Sequence, residues 1–134
     1  MNIFRLIYKS KPFGYDTAIL NGILTDAITY NSKNDITGAL ICREDIYLQL
    51  LEGPELKVSN TFQKILDDDR HLEVELLIKE HCNKRIFPKW KMKDDPARSW
   101  FWNKEEIQSG IFSTVDRNSI IEVFEKISYE IKDP

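Results

Sequence analysis

A glutamine stands in the middle of an apolar run. In Ile46–Leu51, alternation sends Ile46, Leu48 and Leu50 to one face of a strand and Tyr47, Gln49 and Leu51 to the other. A primary amide carries two donors and an acceptor with two lone pairs, and leaving them unmet in a core costs about 1–3 kcal/mol. Gln49 therefore needs partners. Tyr8, in the strand-like run Ile3–Ser10, brings a phenol that can donate and accept. Asn31 lies four residues beyond Ala27, at the end of the inward face of a helical stretch. Three such groups converging in an apolar pocket either satisfy one another or meet a ring edge that presents a donor beside an acceptor.

The elements that must position them are legible around them. Ile36–Cys42 and Ile46–Leu51 flank the polar break Arg43-Glu44-Asp45 and read as a β-hairpin. Ile3–Ser10 puts Phe4, Leu6, Tyr8 and Ser10 on one face and Ile3, Arg5 and Ile7 on the other, the pattern of a central strand covered on both sides. After the break Lys11-Pro12-Phe13-Gly14, Asp16 suits the N-cap of a helix running to about Tyr30, with Leu20, Leu24, Ala27 and Ile28 inward. Gly53-Pro54 starts a second helix, with Pro54 in its first turn and Val58, Phe62, Ile65 and Leu66 as its apolar stripe. That helix ends in Asp67-Asp68-Asp69-Arg70-His71, where Lys64 and Asp68, one turn apart, can pair. Leu72–Ile78 sets Leu72, Val74, Leu76 and Ile78 against Glu73 and Glu75, as in an edge strand with one wet face. Arg85–Met92 reads as a fifth strand, with Ile86, Pro88, Trp90 and Met92 on one side and a bulge or unpaired stretch at Pro88.

The order βαββαββ predicts an α+β, ferredoxin-like fold. Its five-stranded mixed sheet has two helices on one face and its first and third strands as parallel neighbours. Tyr8 and Gln49 then share the face under the helices. The tail covers the other face: Ile120, Val123, Phe124, Ile127 and Ile131 recur at helical spacing in Asn118–Ile131, with Ser119 and Glu122 as a capping box. Trp100, Phe101 and Trp102 pack in the connection. Residues 1–93 form the core, and residues 94–134 an extension within the same domain.

Composition bounds the function. With 134 residues, 42% of them hydrophobic, the chain suits one compact domain. A net charge of −3 with interspersed signs gives no footprint for direct nucleic-acid binding. No apolar run approaches the roughly 20 residues needed to span a bilayer. The N-terminus opens on a strand pattern rather than a signal peptide. Cys42 and Cys82 lie far apart in strand-like runs, without CxxC or metal spacing, and read as buried thiols of a cytoplasmic protein. No Ser/His/Asp set and no metal-spaced cluster is present, so neither an enzyme nor a metal site is expected.

Five fragments carry a resemblance. LIYKS at Leu6–Ser10, N-x5-TG from Asn31 through Thr37-Gly38, YLQLLEGP at Tyr47–Pro54, DDRH at Asp68–His71 and FPKWKM at Phe87–Met92 resemble, in this order, the signatures of the BLUF family of blue-light sensors using FAD. The similarity spans about Met1 to Met92. It implies FAD as cofactor, with the isoalloxazine ring between the two helices over the sheet. It also implies roles: Tyr8 as electron donor to the excited flavin, Gln49 as the bridge from that tyrosine to flavin N5 and O4, and Asn31 at N3–H and C4=O. Lys64, Asp68, Arg70 and His71 fall where family members contact the ribityl chain and phosphates. Trp90 and Met92 match the semi-conserved tryptophan and methionine that modulate the pocket. Tyr30 is a departure, standing where many members carry Asn or His.

The resemblance further implies a photoreceptor rather than an enzyme. Its signal is a light-driven hydrogen-bond rearrangement and a small red shift, with output through a downstream protein or a homo-oligomer. Two rivals stand beside it. One is a small ferredoxin-like hydrolase of the acylphosphatase type, binding an anion with Asn31 and a basic loop at Lys9–Lys11, although that loop holds lysines and no arginine. The other is an interaction module without flavin.

Overall fold

The computed structural model describes residues 3–12, 22, 25–26, 29–42, 46–67, 71–87, 91–94, 105–106, 110–111 and 114–130. Strands β1 (Ile3–Pro12), β2 (Thr37–Cys42), β3 (Tyr47–Gly53), β4 (His71–Cys82) and β5 (Lys91–Asp94) form one sheet in the order β4-β1-β3-β2-β5. Residues 22, 25–26 and 29–33 are helical and constitute the described part of α1. Two further helices are α2 (Glu55–Leu66) and α3 (Arg117–Glu130). The result is an α+β fold on a mainly antiparallel sheet.

β1 and β3 are neighbours, as expected, but they run antiparallel and not parallel. The reason is topological. β1 and β2 each run antiparallel to β3, so they point the same way, while the short β2–β3 connection reverses the chain. β3, inserted between them, must oppose both.

β4 is longer than the expected Leu72–Ile78, and its alternation is broken. Its register against β1 shifts between Ile7 and Tyr8 and again between Lys9 and Lys11, and Glu73 takes a left-handed φ of 51°. Each extra residue re-aims the side chains beyond it. Val74 therefore packs with Tyr8 and Val58, Ile78 packs on the opposite face, and Leu76 is exposed. The expectation that Leu72, Val74, Leu76 and Ile78 share one face fails because it assumed an unbroken pleat.

The fifth strand begins later than its sequence pattern suggested. Arg85, Ile86 and Phe87 are not in a strand, and the described ladder is Lys91–Asp94, parallel to β2. Pro88 and Trp90 lie outside the described residues, as do Asp16, Leu20, Leu24, Ala27, Ile28 and Trp100–Trp102.

The two faces of the sheet carry separate cores. Ile7, Ile41, Leu48 and Leu50 pack with Ile120, Val123 and Phe124 of α3. Phe4, Leu6, Tyr8, Ile36 and Leu51 pack with Val58 of α2. Burying each large apolar side chain contributes about 1.5–3 kcal/mol, so both helices are held chiefly by their apolar stripes. The stripe of α2 stops short of expectation, because Leu66 is 43% exposed, and Pro54 occupies the N-cap rather than the first turn. α3 starts at Arg117, and the Asp116 carbonyl accepts from the N–H groups of Ser119 and Ile120. Ser119 and Glu122 thus lie within the helix and form no capping box.

Candidate functional site

The end of α1 is built by backbone hydrogen bonds around Asn31. Its carbonyl accepts from Asn34 N–H at 3.1 Å and from Ile36 N–H at 2.9 Å, while Asp35 takes a left-handed φ of 56°. A bond spanning six residues, a left-handed residue inside it and a buried apolar residue after it make a Schellman motif. Ile36 is the buried residue, and it packs in the same cluster as Tyr8. Asn31 itself is only 2% exposed. Its Oδ1 is buried without a hydrogen-bond partner among the described residues. A buried acceptor left unmet is costly, and it is the kind of defect that a ligand's N–H removes.

Gly38 explains the glycine that follows Thr37 in the N-x5-TG spacing. A Cβ there would overlap the Leu50 carbonyl oxygen of β3. Glycine lets the two backbones approach, and β3 carries Gln49 on that ladder.

Tyr8 and Gln49 are opposite one another in the β1–β3 register, and the Tyr8 hydroxyl donates to Gln49 Oε1. Tyr8 is fully buried and Gln49 nearly so. The Phe62 ring of α2 lies 5.4 Å from the Tyr8 ring, tilted by 53°. The pair is therefore a phenol and an amide in contact in a low-dielectric setting, where a hydrogen bond is strong and its loss costly. Light-driven chemistry suits it: a phenol can give up an electron and a proton, and an amide can reverse which end faces the phenol.

Other expected residues divide differently. Lys64 is exposed on α2, with its Nζ 4.6 Å from the centroid of the Tyr30 ring, a cation–π contact between the ends of α1 and α2. Asp68, Arg70 and Trp90 lie outside the described residues. His71 is the first residue of β4, opposite Pro12, and Met92 lies in β5 opposite Leu40; only their backbone positions are described. The basic loop expected at Lys9–Lys11 for the rival anion site is not a loop: β1 continues to Pro12 along its ladder with β4, and Lys9 pairs with Glu75 at 3.2 Å.

Sequence reading missed a second polar constellation, on the other face. Glu52, fully buried, accepts from Arg5 Nε at 3.0 Å and from the N–H groups of Ile86 and Phe87. Arg5 also donates to Glu80 at 3.0 Å and to the Lys84 carbonyl at 3.2 Å. Burial alone would lower the Arg5 pKa, but the Glu52 charge and its hydrogen bonds to Glu52 and Glu80 raise it instead. The signal was available: Arg5 and Glu52 are charged residues inside runs whose neighbours are apolar. Without the register of β1 on β3, nothing showed that they meet.

A family model for BLUF, sensors of blue-light using FAD, matches residues 3–93. The chain belongs to the BLUF family. It is 35% identical over 63 residues to the blue light- and temperature-regulated antirepressor BluF of Escherichia coli, covering 47% of this chain and 16% of that protein. It is 32% identical over 69 residues to the photoactivated adenylate cyclase subunit beta of Euglena gracilis, covering 52% of this chain and 8% of that protein. The chain thus spans a small part of the length of either curated relative. Among solved structures, the photo-activated state of BlsA superposes with a TM-score of 0.74 at 25% identity, covering 96% of this chain and 95% of that one.

The family to which the chain belongs is described as sensors of blue light using FAD. The residues present fit the cofactor. Asn31 Oδ1 needs a donor, a flavin ring carries an N–H at its edge, and a buried phenol–amide pair stands on the face where Ile36, which closes the end of α1, packs. Among the described residues, no cluster of His, Cys, Asp and Glu could hold a metal ion, and no helix is long and apolar enough to cross a membrane.

Proposed function

We propose that Tyr8 and Gln49 are the photoactive pair of this BLUF domain and that Asn31 holds the ring edge of its flavin. The reading is supported by the buried Tyr8–Gln49 hydrogen bond together with the buried, unmet acceptor of Asn31. When bound, FAD absorbs blue light and supplies an electron acceptor. Tyr8 would be the transient donor, its Oη–H, held on Gln49 Oε1, giving the proton a path, and the electron and proton would return to Tyr8 to restore the phenol. The Gln49 amide then rotates or tautomerises, exchanging the donor and acceptor ends it offers. Asn31 would hold the ring edge, its Oδ1 available to accept from an N–H and its amide N–H to donate to a carbonyl.

Lys64, Asp68, Arg70 and His71 contact the ribityl chain and phosphates in this reading, and Trp90 and Met92 tune the pocket. Residues 1–93 constitute the sensor core, ferredoxin-like with both helices on one face of a five-stranded sheet. Residues 94–134 belong to the same domain and carry the output surface on α3. The protein is a cytoplasmic photoreceptor and not itself an enzyme. Its output passes to a downstream protein or through a homo-oligomer, without direct contact to nucleic acid or membrane; the names of its relatives, a light-activated cyclase and a light-regulated antirepressor, support a sensor that works through an effector.

Absorption spectra before and after blue illumination test the proposal. The purified protein should be yellow, with a structured flavin band that shifts slightly to the red and returns in the dark. A colourless protein, or a flavin band that bleaches without a reversible shift, would overturn it.

A further inference from the structure

A row of residues crosses the sheet at the photoactive pair. Tyr8 is opposite Gln49, Gln49 is opposite Leu40, and Leu40 is opposite Met92, so the row runs through β1, β3, β2 and β5. The last step is the weakest. β5 is a parallel edge strand of four residues. A slip of one residue would place Lys91 or Lys93 in the row instead of Met92 and turn every β5 side chain to the other face. So short a ladder specifies its own register poorly, and something else must hold it.

The chain leading into β5 is held by a carboxylate from β3. Glu52 accepts from Ile86 N–H at 2.9 Å and from Phe87 N–H at 3.1 Å. Thr37 Oγ1 donates to the Phe87 carbonyl at 2.7 Å, so both backbone polar groups of Phe87 are fixed. Arg85 donates to Thr37 Oγ1 at 2.7 Å, to the Glu52 carbonyl at 3.0 Å and to the Asp35 carbonyl at 2.8 Å. The Phe87 ring packs edge-on against Phe124 of α3, with centroids 6.4 Å apart. Only residues 88–90 separate this anchor from Lys91. Buried ion pairs contribute little net stability compared with well-packed apolar residues, so the energy of the Arg5–Glu52 pair gives no reason for its presence. Its geometry does, because only an acceptor with two oxygens can take two consecutive backbone N–H groups and an arginine together.

We propose that Glu52, with Arg5 beside it, is a positioning residue that locks the register of β5 and thereby keeps Met92, and neither flanking lysine, in the row of Tyr8 and Gln49. The consequence for the flavin rests on the function proposed above, whereas the lock itself does not. Two variants test it. Glu52→Gln keeps the shape but removes the charge and one acceptor oxygen. Thr37→Val removes the tie to the Phe87 carbonyl, and one of the acceptors of Arg85, while leaving the Glu52 carboxylate and its own donors in place.

The readouts are amide hydrogen exchange of Lys91–Asp94 and the cross-strand NMR contacts between Leu40 and Met92. Exchange in β5 should accelerate about tenfold or more in Glu52→Gln and by about threefold in Thr37→Val, while β1–β3 amides change far less. The Leu40–Met92 contacts should weaken, and the size of the light-induced red shift should change with them. Unchanged β5 exchange and unchanged contacts in both variants would overturn the lock. If Glu52→Gln does not fold, Thr37→Val decides alone. A parent protein without flavin would sink the proposed function while leaving the β5 comparison readable; normal flavin photochemistry with an indifferent β5 would sink only the lock.

Discussion

Tyr8 and Gln49 face each other across the β1–β3 ladder, with the Tyr8 hydroxyl donating to Gln49 Oε1. The amide therefore stands with its oxygen toward the phenol. In the proposed function this orientation is the starting state, and the change expected on illumination is that the amide nitrogen, or an enol hydroxyl, takes the place of the oxygen.

Gln49→Leu keeps similar volume and removes every donor and acceptor of the amide. The variant should fold and hold flavin, and blue light should produce no reversible red shift. Difference spectra check this; a normal photocycle would remove Gln49 from its role.

Tyr8→Phe deletes one hydroxyl from a buried site, and flavin content should survive while the red-shifted state fails to form. Tyr30 is the competing phenol. Tyr30→Phe keeps the ring beneath Lys64 Nζ, so its contact with α2 persists and its photocycle should be normal. The opposite pattern in transient absorption would show that the donor is Tyr30.

Asn31→Ala has opposite effects with and without cofactor. Without flavin it removes a buried acceptor that has no partner among the described residues, so thermal stability should hold or rise slightly. With flavin it removes two hydrogen bonds of about 0.5–1.5 kcal/mol each. Since each ~1.4 kcal/mol is a factor of ten, retention should weaken by about one to two orders of magnitude. Asn31→Asp should bind worse than the parent at neutral pH and recover in part on acidification, as the carboxylate gains a proton. Flavin release on dialysis across pH measures both, and undiminished retention in both would take Asn31 off the ring edge.

Cys82 provides a pH-dependent marker of the Arg5–Glu52 region. Burial pushes its thiol above the ordinary range; Arg5 opposes this, and Glu52 and Glu80 reinforce it. In a Cys42→Ser background, alkylation of the folded protein should rise with pH later than for a free thiol. The unfolded chain releases this proton first, so it binds fewer protons than the folded one across that window. Stability should therefore fall as pH rises from the ordinary thiol range toward the folded value. Denaturant titrations at stepped alkaline pH, with and without Cys82→Ala, isolate the contribution.

Strand faces, the central place of β1, the hairpin and the two apolar helix stripes follow from local periodicity, because burial on one side imposes a period of two or 3.6 wherever it occurs. The isolation of Gln49 among apolar neighbours is legible in the same way, whereas FAD is implied only by the resemblance of five short fragments to the BLUF family. Periodicity does not contain which strand opposes which, in what direction and at what register. Tertiary structure alone brought Tyr8 onto Gln49 and Arg5 onto Glu52, since both pairs are set by one antiparallel ladder between strands that are distant in the chain. The same limit accounts for the misread elements. β4 changes face at bulges that leave no apolar signature, and Ile86 and Phe87, apolar enough for a strand, give their N–H groups to the Glu52 carboxylate instead of a ladder. A residue's type fixes what it can bond, but its partner is decided by chain packing, and at Glu52 and Asn31 that packing turned a charge and an amide into an anchor and an unmet acceptor.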